Sequence, residues 1–151
     1  MNSVMAKKNW KKCDKMDKVI IDTSAWIESF RPRGNTTVQD TVKKLLQNAV
    51  ILMPGIIRTE LLRGTRNKKE FNQLSSLLSG LEYLPVDDLF WEKVAQFSFD
   101  LFRTGITVPL TDTYIALLTI KNKAKIVHCD QHFDLIAQKS SLNIYHYPLQ
   151  R

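Results

Sequence analysis

The stretch Lys18-Val19-Ile20-Ile21-Asp22-Thr23-Ser24-Ala25-Trp26-Ile27 decides the fold. Its first four residues form a short, largely β-branched run without polar alternation, the pattern of a strand buried on both faces of a parallel sheet. Asp22 closes the run. Residues 23–30 then read as a helix that Arg31-Pro32-Arg33-Gly34 stops, because proline and glycine cannot continue it.

Outward from there, strand and helix keep alternating. Val38, Val42, Leu45 and Leu46 recur at helical spacing, and residues 49–53 form a second short strand closed by Pro54-Gly55. Helices are expected over 56–63 and 67–79, the second turning Phe71, Leu74 and Leu78 inward, with Gly64 and Gly80 as their C-terminal stops. A third strand follows at 81–86. Phe90, Val94, Phe97 and Leu101 make the stripe of a long amphipathic helix ending at Gly105, and residues 112–120 form a helix with hardly any polar face. A strand at 124–128, a short helix at 133–138 and a last strand at 143–147 complete the pattern. Short apolar strands separated by helices predict an α/β fold, a three-layer α/β/α sandwich around a central parallel sheet of four to five strands with right-handed crossovers.

The 151 residues fit one domain with a respectable core, and 44% hydrophobic against 25% charged residues argues against extended disorder. Of the net charge of +7, residues 1–15 carry +4, from five lysines against Asp14, which leaves the remainder only mildly basic. Residues 1–15 therefore read as a basic N-terminal extension, residues 16–151 as the domain, and Met16 as an alternative start. No stretch has the apolar length of a signal peptide or membrane span, so a cytoplasmic location and no membrane partner are expected. Cys13 and Cys129 lack the paired spacing of a zinc site and read as free thiols.

Four carboxylates carry the chemistry. In an open parallel sheet the ligand site lies beyond the carboxyl ends of the strands, and both Asp22 and Asp130 fall on that edge. Glu60 borders the inward stripe of its helix, where a lone carboxylate is costly to desolvate without a cation or a set of donors. Asp112 opens the nearly uncharged helix containing Ile115-Ala116-Leu117-Leu118. Each has a purely structural reading as well: Asp22 and Asp130 as a helix cap and a turn residue, Asp112 as a partner of the helix dipole. Converging at one sheet edge, the four make a hard-oxygen cage for Mg²⁺ or Mn²⁺, able to activate water against a phosphodiester. His128 and His132 offer metal-independent acid–base chemistry instead, but read more readily as a packed strand-end residue and a partly exposed one. Trp26, Phe90, Phe97 and Phe102 fall on apolar helical stripes and read as core or dimer surface.

The segments 19–27, Thr59-Glu60-Leu61-Leu62-Arg63-Gly64, Pro109-Leu110-Thr111-Asp112-Thr113-Tyr114-Ile115-Ala116 and His128-Cys129-Asp130-Gln131-His132-Phe133-Asp134-Leu135-Ile136-Ala137 together resemble the successive motifs of PIN-domain ribonucleases, and among them the VapC toxins of type II toxin–antitoxin systems. The resemblance implies a PIN-like fold and a Mg²⁺- or Mn²⁺-dependent endoribonuclease. It further implies a tRNA or ribosomal RNA substrate, a small cognate antitoxin and a homodimer. On this likeness Asp22, Glu60 and Asp112 match the core acidic triad and Asp130 the more variable fourth acid. Thr23 or Ser24 matches the hydroxyl that supports the first Asp. Arg31, Arg33 and Arg63, with Arg58 and Arg66, become candidates for RNA phosphate or antitoxin contacts. His128 departs from the Ser or Thr common at its position, and the N-terminal extension is unusual.

Rival readings meet specific obstacles. A haloacid-dehalogenase-type phosphatase needs an Asp where Ser24 stands, and a receiver domain needs an acceptor Asp after the third strand, which Leu81-Glu82-Tyr83-Leu84-Pro85 does not supply. A catalytically silent binding module of the same fold stays open on sequence grounds.

Overall fold

The computed structural model describes residues 16–148; the basic extension at 1–15 and Cys13 lie outside the described residues. The described chain runs β1 (Lys18–Ile21), α1 (Thr23–Phe30), α2 (Thr36–Asn48), β2 (Val50–Pro54), α3 (Gly55–Arg63), α4 (Lys68–Leu78), β3 (Glu82–Leu84), α5 (Asp88–Arg103), α6 (Leu110–Lys121), β4 (Lys125–Val127) and α7 (Gln131–Gln138). The four strands are all parallel, in the order β3-β2-β1-β4.

Helix boundaries follow local chemistry. Asn35, Asn67 and Asp87 each accept a backbone N–H of the turn they precede, opening α2, α4 and α5. Gly105 ends α5 with φ +87°, while Gly105 N–H bonds the Phe102 carbonyl and Ile106 N–H reaches back to that of Leu101. A left-handed residue flanked by these two bonds is a Schellman stop, which a Cβ at 105 would strain.

The sheet order explains where the site lies. From β1 the chain moves outward to β2 and β3, then returns across the sheet to β4 on the other side of β1. Right-handed crossovers place α1–α4 on one face and α5–α7 on the other. The packing agrees: α1 contacts α2 and α3, and α3 contacts α4, while α6 packs between α5 and α7. The crevice between β1 and β4, where the winding direction reverses, is the ligand position of an open α/β sheet. Past their leading lysines both strands are closed off from water; Val19, Ile20, Ile126 and Val127 have no exposed surface, and neither do Phe90 and Phe133 beneath the helices.

The expected fifth strand at 143–147 is shortened to one bridge. Ile126 N–H bonds the Asn143 carbonyl and Tyr145 N–H bonds the Ile126 carbonyl, pairing Ile144 with β4 at a single position. β4 is itself three residues long, so it offers little edge to extend along. The expected third strand also shrinks, to Glu82–Leu84, and its Tyr83 is 61% exposed because β3 is the edge strand and not doubly buried. Of the predicted inward residues, Val38, Val42 and Leu45 are buried whereas Leu46 is exposed; Trp26 and Phe90 are core, while Phe102 is exposed. Among the described residues no helix is long and apolar enough to cross a membrane.

Candidate metal centre

Asp22 is the first residue past β1, and extended backbone there lets its carboxylate turn back as the cap of α1, accepting Ser24 N–H at 3.0 Å. Ser24 Oγ donates to the same oxygen, Oδ2, at 2.5 Å. Asp130 plays the matching part after β4, capping α7 by accepting His132 N–H at 3.0 Å. The helix-cap reading of Asp22 is thus realised, and Asp130, expected as a turn residue, proves to be a cap as well, neither role taking the residue away from the strand ends. A strand that passes straight into a helix leaves its capping side chain at the sheet's carboxyl edge, so one geometry serves both roles.

Glu60 enters from α3 and Asp112 from the first turn of α6. The Glu60 Oε2 atom accepts the Thr23 hydroxyl, 37 residues away, at 2.5 Å. The two hydroxyls of the Thr23-Ser24 pair therefore divide their work: Ser24 supports Asp22, and Thr23 supports Glu60. Neither Arg58 nor Arg63 neutralises Glu60; Arg58 donates to Ser75 Oγ at 2.7 Å, and Arg63 is exposed.

Electrostatics ties the four acids together. Burial pushes the Asp22 carboxyl above its ordinary value, against the pull of its Ser24 and Thr23 hydrogen bonds, and the Glu60 charge adds to the rise. Burial likewise raises Asp112; the His132 hydrogen bond opposes this, and the negative charges of Asp130 and Asp22 push further up. Among the described residues, no lysine or arginine forms an ion pair with Asp22, Glu60, Asp112 or Asp130. A set of interacting carboxylates, two of them held above their usual proton affinity and with no lysine or arginine paired to them among the described residues, has the donor chemistry of a divalent-cation site.

His132 is the participant that the sequence pattern left aside. Its ring is 34% exposed, but Nδ1 lies 2.8 Å from Asp112 Oδ2 and 3.2 Å from Asp130 Oδ1. The donor atoms of Asp112, Asp130 and His132 all fall within 4.8 Å of one another. The available signal was the spacing: two residues past a capping Asp, a side chain stands in the first turn of the helix, beside the cap. His128 is different. It is 8% exposed, its Nδ1 accepts Asp130 N–H at 3.1 Å, and Nε2 lies 3.4 Å from Asp134, so both ring nitrogens are spent on holding the turn.

Cys129 is a free thiol, and burial raises its pKa, with a 3.8 Å contact to the Tyr147 hydroxyl opposing. A thiol held in the protonated state is a poor nucleophile. Of the five arginines singled out from sequence, two lie in surface pairs, Arg31 with Glu28 at 3.0 Å and Arg66 with Glu70 at 2.9 Å, whereas Arg33 and Arg63 are exposed and Arg58 bonds Ser75. A cleft of about 470 Å³ beside Glu60 is walled by Phe30, Arg31, Arg66 and Leu74.

The PIN domain family matches residues 19–139. VapC ribonuclease Mb1587 of Mycobacterium bovis and ribonuclease VapC11 of Mycobacterium tuberculosis are each 36% identical to this chain over 127 residues, which is 82% of the chain and 95% of the relative. Among solved structures, VapBC2 from Rickettsia felis bound to a promoter DNA fragment superposes with a TM-score of 0.70 at 18% identity, covering 87% of this chain and 99% of that one. FitAcB from Neisseria gonorrhoeae gives 0.69 at 21% identity, over 85% and 96%. Structural likeness at such low identity speaks for the fold, and the sequence relatives carry the family: the chain belongs to the PIN-domain family, among the VapC ribonucleases.

Proposed function

We propose that this protein is a Mg²⁺- or Mn²⁺-dependent endoribonuclease that hydrolyses RNA phosphodiesters and acts as the toxin of a toxin–antitoxin pair. What supports this reading is the coupling among the acids: Thr23 just past β1 holds Glu60, the Glu60 charge acts on Asp22 and the Asp22 charge on Asp112, and Asp112 and Asp130 offer donor atoms within 4.8 Å, with no lysine or arginine paired to any of them among the described residues. Curated VapC relatives named as ribonucleases support it.

In this reading Asp22, Asp112 and Asp130 hold the cation. When bound, the cation supplies charge neutralisation at a phosphate oxygen and a lowered pKa for a water. The chain's own residues do the rest. Ser24 fixes the Asp22 carboxylate through two hydrogen bonds, so it presents its free oxygen without reorganising. Thr23 anchors one Glu60 oxygen, leaving the other to orient a water or take its proton. Water, not the ribose 2′-hydroxyl, is the nucleophile in this reading, since a cation held by these carboxylates would activate a water bound to it.

A tRNA or ribosomal RNA substrate follows from the family likeness. Arg31, Arg33 and Arg63 are assigned to RNA or antitoxin contacts. The cleft beside Glu60, mostly apolar with Arg31, Arg66, Glu60 and Glu70 among its lining, suits a segment of the antitoxin. Trp91, Phe99 and Phe102 project from one side of α5 and are 53%, 59% and 66% exposed, a surface suited to a homodimer. The test is cleavage of a structured RNA pool by purified protein. Activity should require Mg²⁺ or Mn²⁺, vanish with EDTA and vanish in Asp112→Asn. Cleavage that persists with EDTA or in the variant refutes the assignment.

A further inference from the structure

Within the crevice, the position of His132 says more than that of a hydrogen-bonding neighbour. Two metal–ligand bonds of about 2.1 Å at right angles place their donor atoms about 3 Å apart. His132 Nδ1 stands 2.8 Å from Asp112 Oδ2 and 3.2 Å from Asp130 Oδ1, the spacing of adjacent corners of one octahedron. The separation of the two carboxylate oxygens, no more than 4.8 Å, accommodates a shared ion.

The backbone holds this arrangement in place. His132 N–H is tied to Asp130 Oδ1 at 3.0 Å, which seats the residue in the first turn of α7 directly over the cap. Nδ1 is the only ring nitrogen of His132 with a protein partner among the described residues, so Nε2 can carry the proton of the neutral ring and leave the Nδ1 lone pair to a cation. His128 has no such freedom, since both of its nitrogens are committed to Asp130 and Asp134.

Resting on the metal-dependent reading above, we propose that His132 ligates the divalent cation through Nδ1, beside Asp112 and Asp130, and that this nitrogen makes the centre prefer Mn²⁺ to Mg²⁺. Magnesium takes hard oxygen donors and gains little from imidazole, whereas first-row transition ions accept nitrogen readily. A centre built only from the four carboxylates would discriminate much less between the two ions.

The experiment uses the full chain, with Mn²⁺ or Mg²⁺ alone as the probe. Pulsed electron paramagnetic resonance on the Mn²⁺-loaded protein should show coupling to a directly bound ¹⁴N. His132→Asp, which keeps a ligand in place and puts an acid where the helix dipole favours one, should lose that coupling. By calorimetry the Mn²⁺-over-Mg²⁺ affinity ratio should fall about tenfold or more in the variant. Bound Mn²⁺ without ¹⁴N coupling, coupling that survives in His132→Asp, or an unchanged ratio overturns the proposal while leaving a carboxylate centre standing. Failure of the wild-type protein to bind either ion overturns the metal-dependent reading along with it.

Discussion

The Ser24 hydroxyl accepts the Cys129 backbone N–H at 3.0 Å, joining two positions 105 residues apart. Since the same oxygen donates to Asp22, one side chain fastens the end of β1 to the end of β4 at the crevice that the acids line. Ser24→Ala removes both bonds. It should cost about 1–2 kcal/mol of stability, lowering Tm by about 2–4 °C per kcal/mol in a chain of this size. RNA cleavage should fall further than stability alone explains, and calorimetry with a cleavage assay on the same preparation checks both.

Asp22→Asn and Asp112→Asn should abolish RNA cleavage without unfolding the protein. Burial already disfavours the charged form of both groups. A neutral amide that keeps the Ser24 or His132 hydrogen bond therefore leaves Tm unchanged or raises it by a few degrees, on the order of 1 kcal/mol. Loss of activity accompanied by loss of the folded circular-dichroism spectrum would count against the assignment.

Thr23→Val keeps the shape of the side chain and deletes the donor to Glu60. The expected result is a roughly tenfold drop in turnover, equivalent to about 1.4 kcal/mol, with metal affinity little changed. Thr23→Ser restores the hydroxyl and should recover most of the rate. Equal activity in the valine variant would show that Glu60 needs no positioning.

The raised carboxyls of Asp22 and Asp112 set a sign for the pH dependence. The folded protein holds these protons more tightly than the unfolded chain, so their stability penalty appears as pH rises through the folded values and fades as pH falls toward the ordinary 3.8. These two groups should therefore favour metal-stripped protein at about pH 4 relative to about pH 8, read as the change in the Tm gap between wild type and Asp22→Asn/Asp112→Asn, and Mn²⁺ should raise Tm most at the upper value. Differential scanning fluorimetry across a pH series is sufficient.

Deleting residues 1–15 removes five lysines and one aspartate. If this extension captures RNA through phosphate contacts, the shortened protein should bind RNA more weakly at low salt and with a shallower salt dependence. Its metal affinity and Tm should match those of the full chain. Identical RNA binding curves would remove the extension from the mechanism.

Much of the fold was legible because strands and caps are local. The apolar run at Val19–Ile21 and the acid after it announce a buried strand entering a helix, and the same logic places Asp130 after β4. The strand expected at 143–147 is one bridge long, since its length depends on how much of β4 remains to pair with, which no local pattern states. Glu60 was legible as an acid on an inward face, but its hydroxyl partner was not.

Sequence by itself determined the alternation of elements, the carboxyl edge on which Asp22 and Asp130 fall, and the acidic character of the site, all consequences of periodicity and chain direction within a few residues. Tertiary structure alone decided that Thr23 serves Glu60, that Ser24 also holds the Cys129 N–H, and that His132 stands between Asp112 and Asp130. Those pairings arise when packing sets α3 against α1 and α6 against α7, and a distance set by packing between elements has no signature in the residues of either element taken singly.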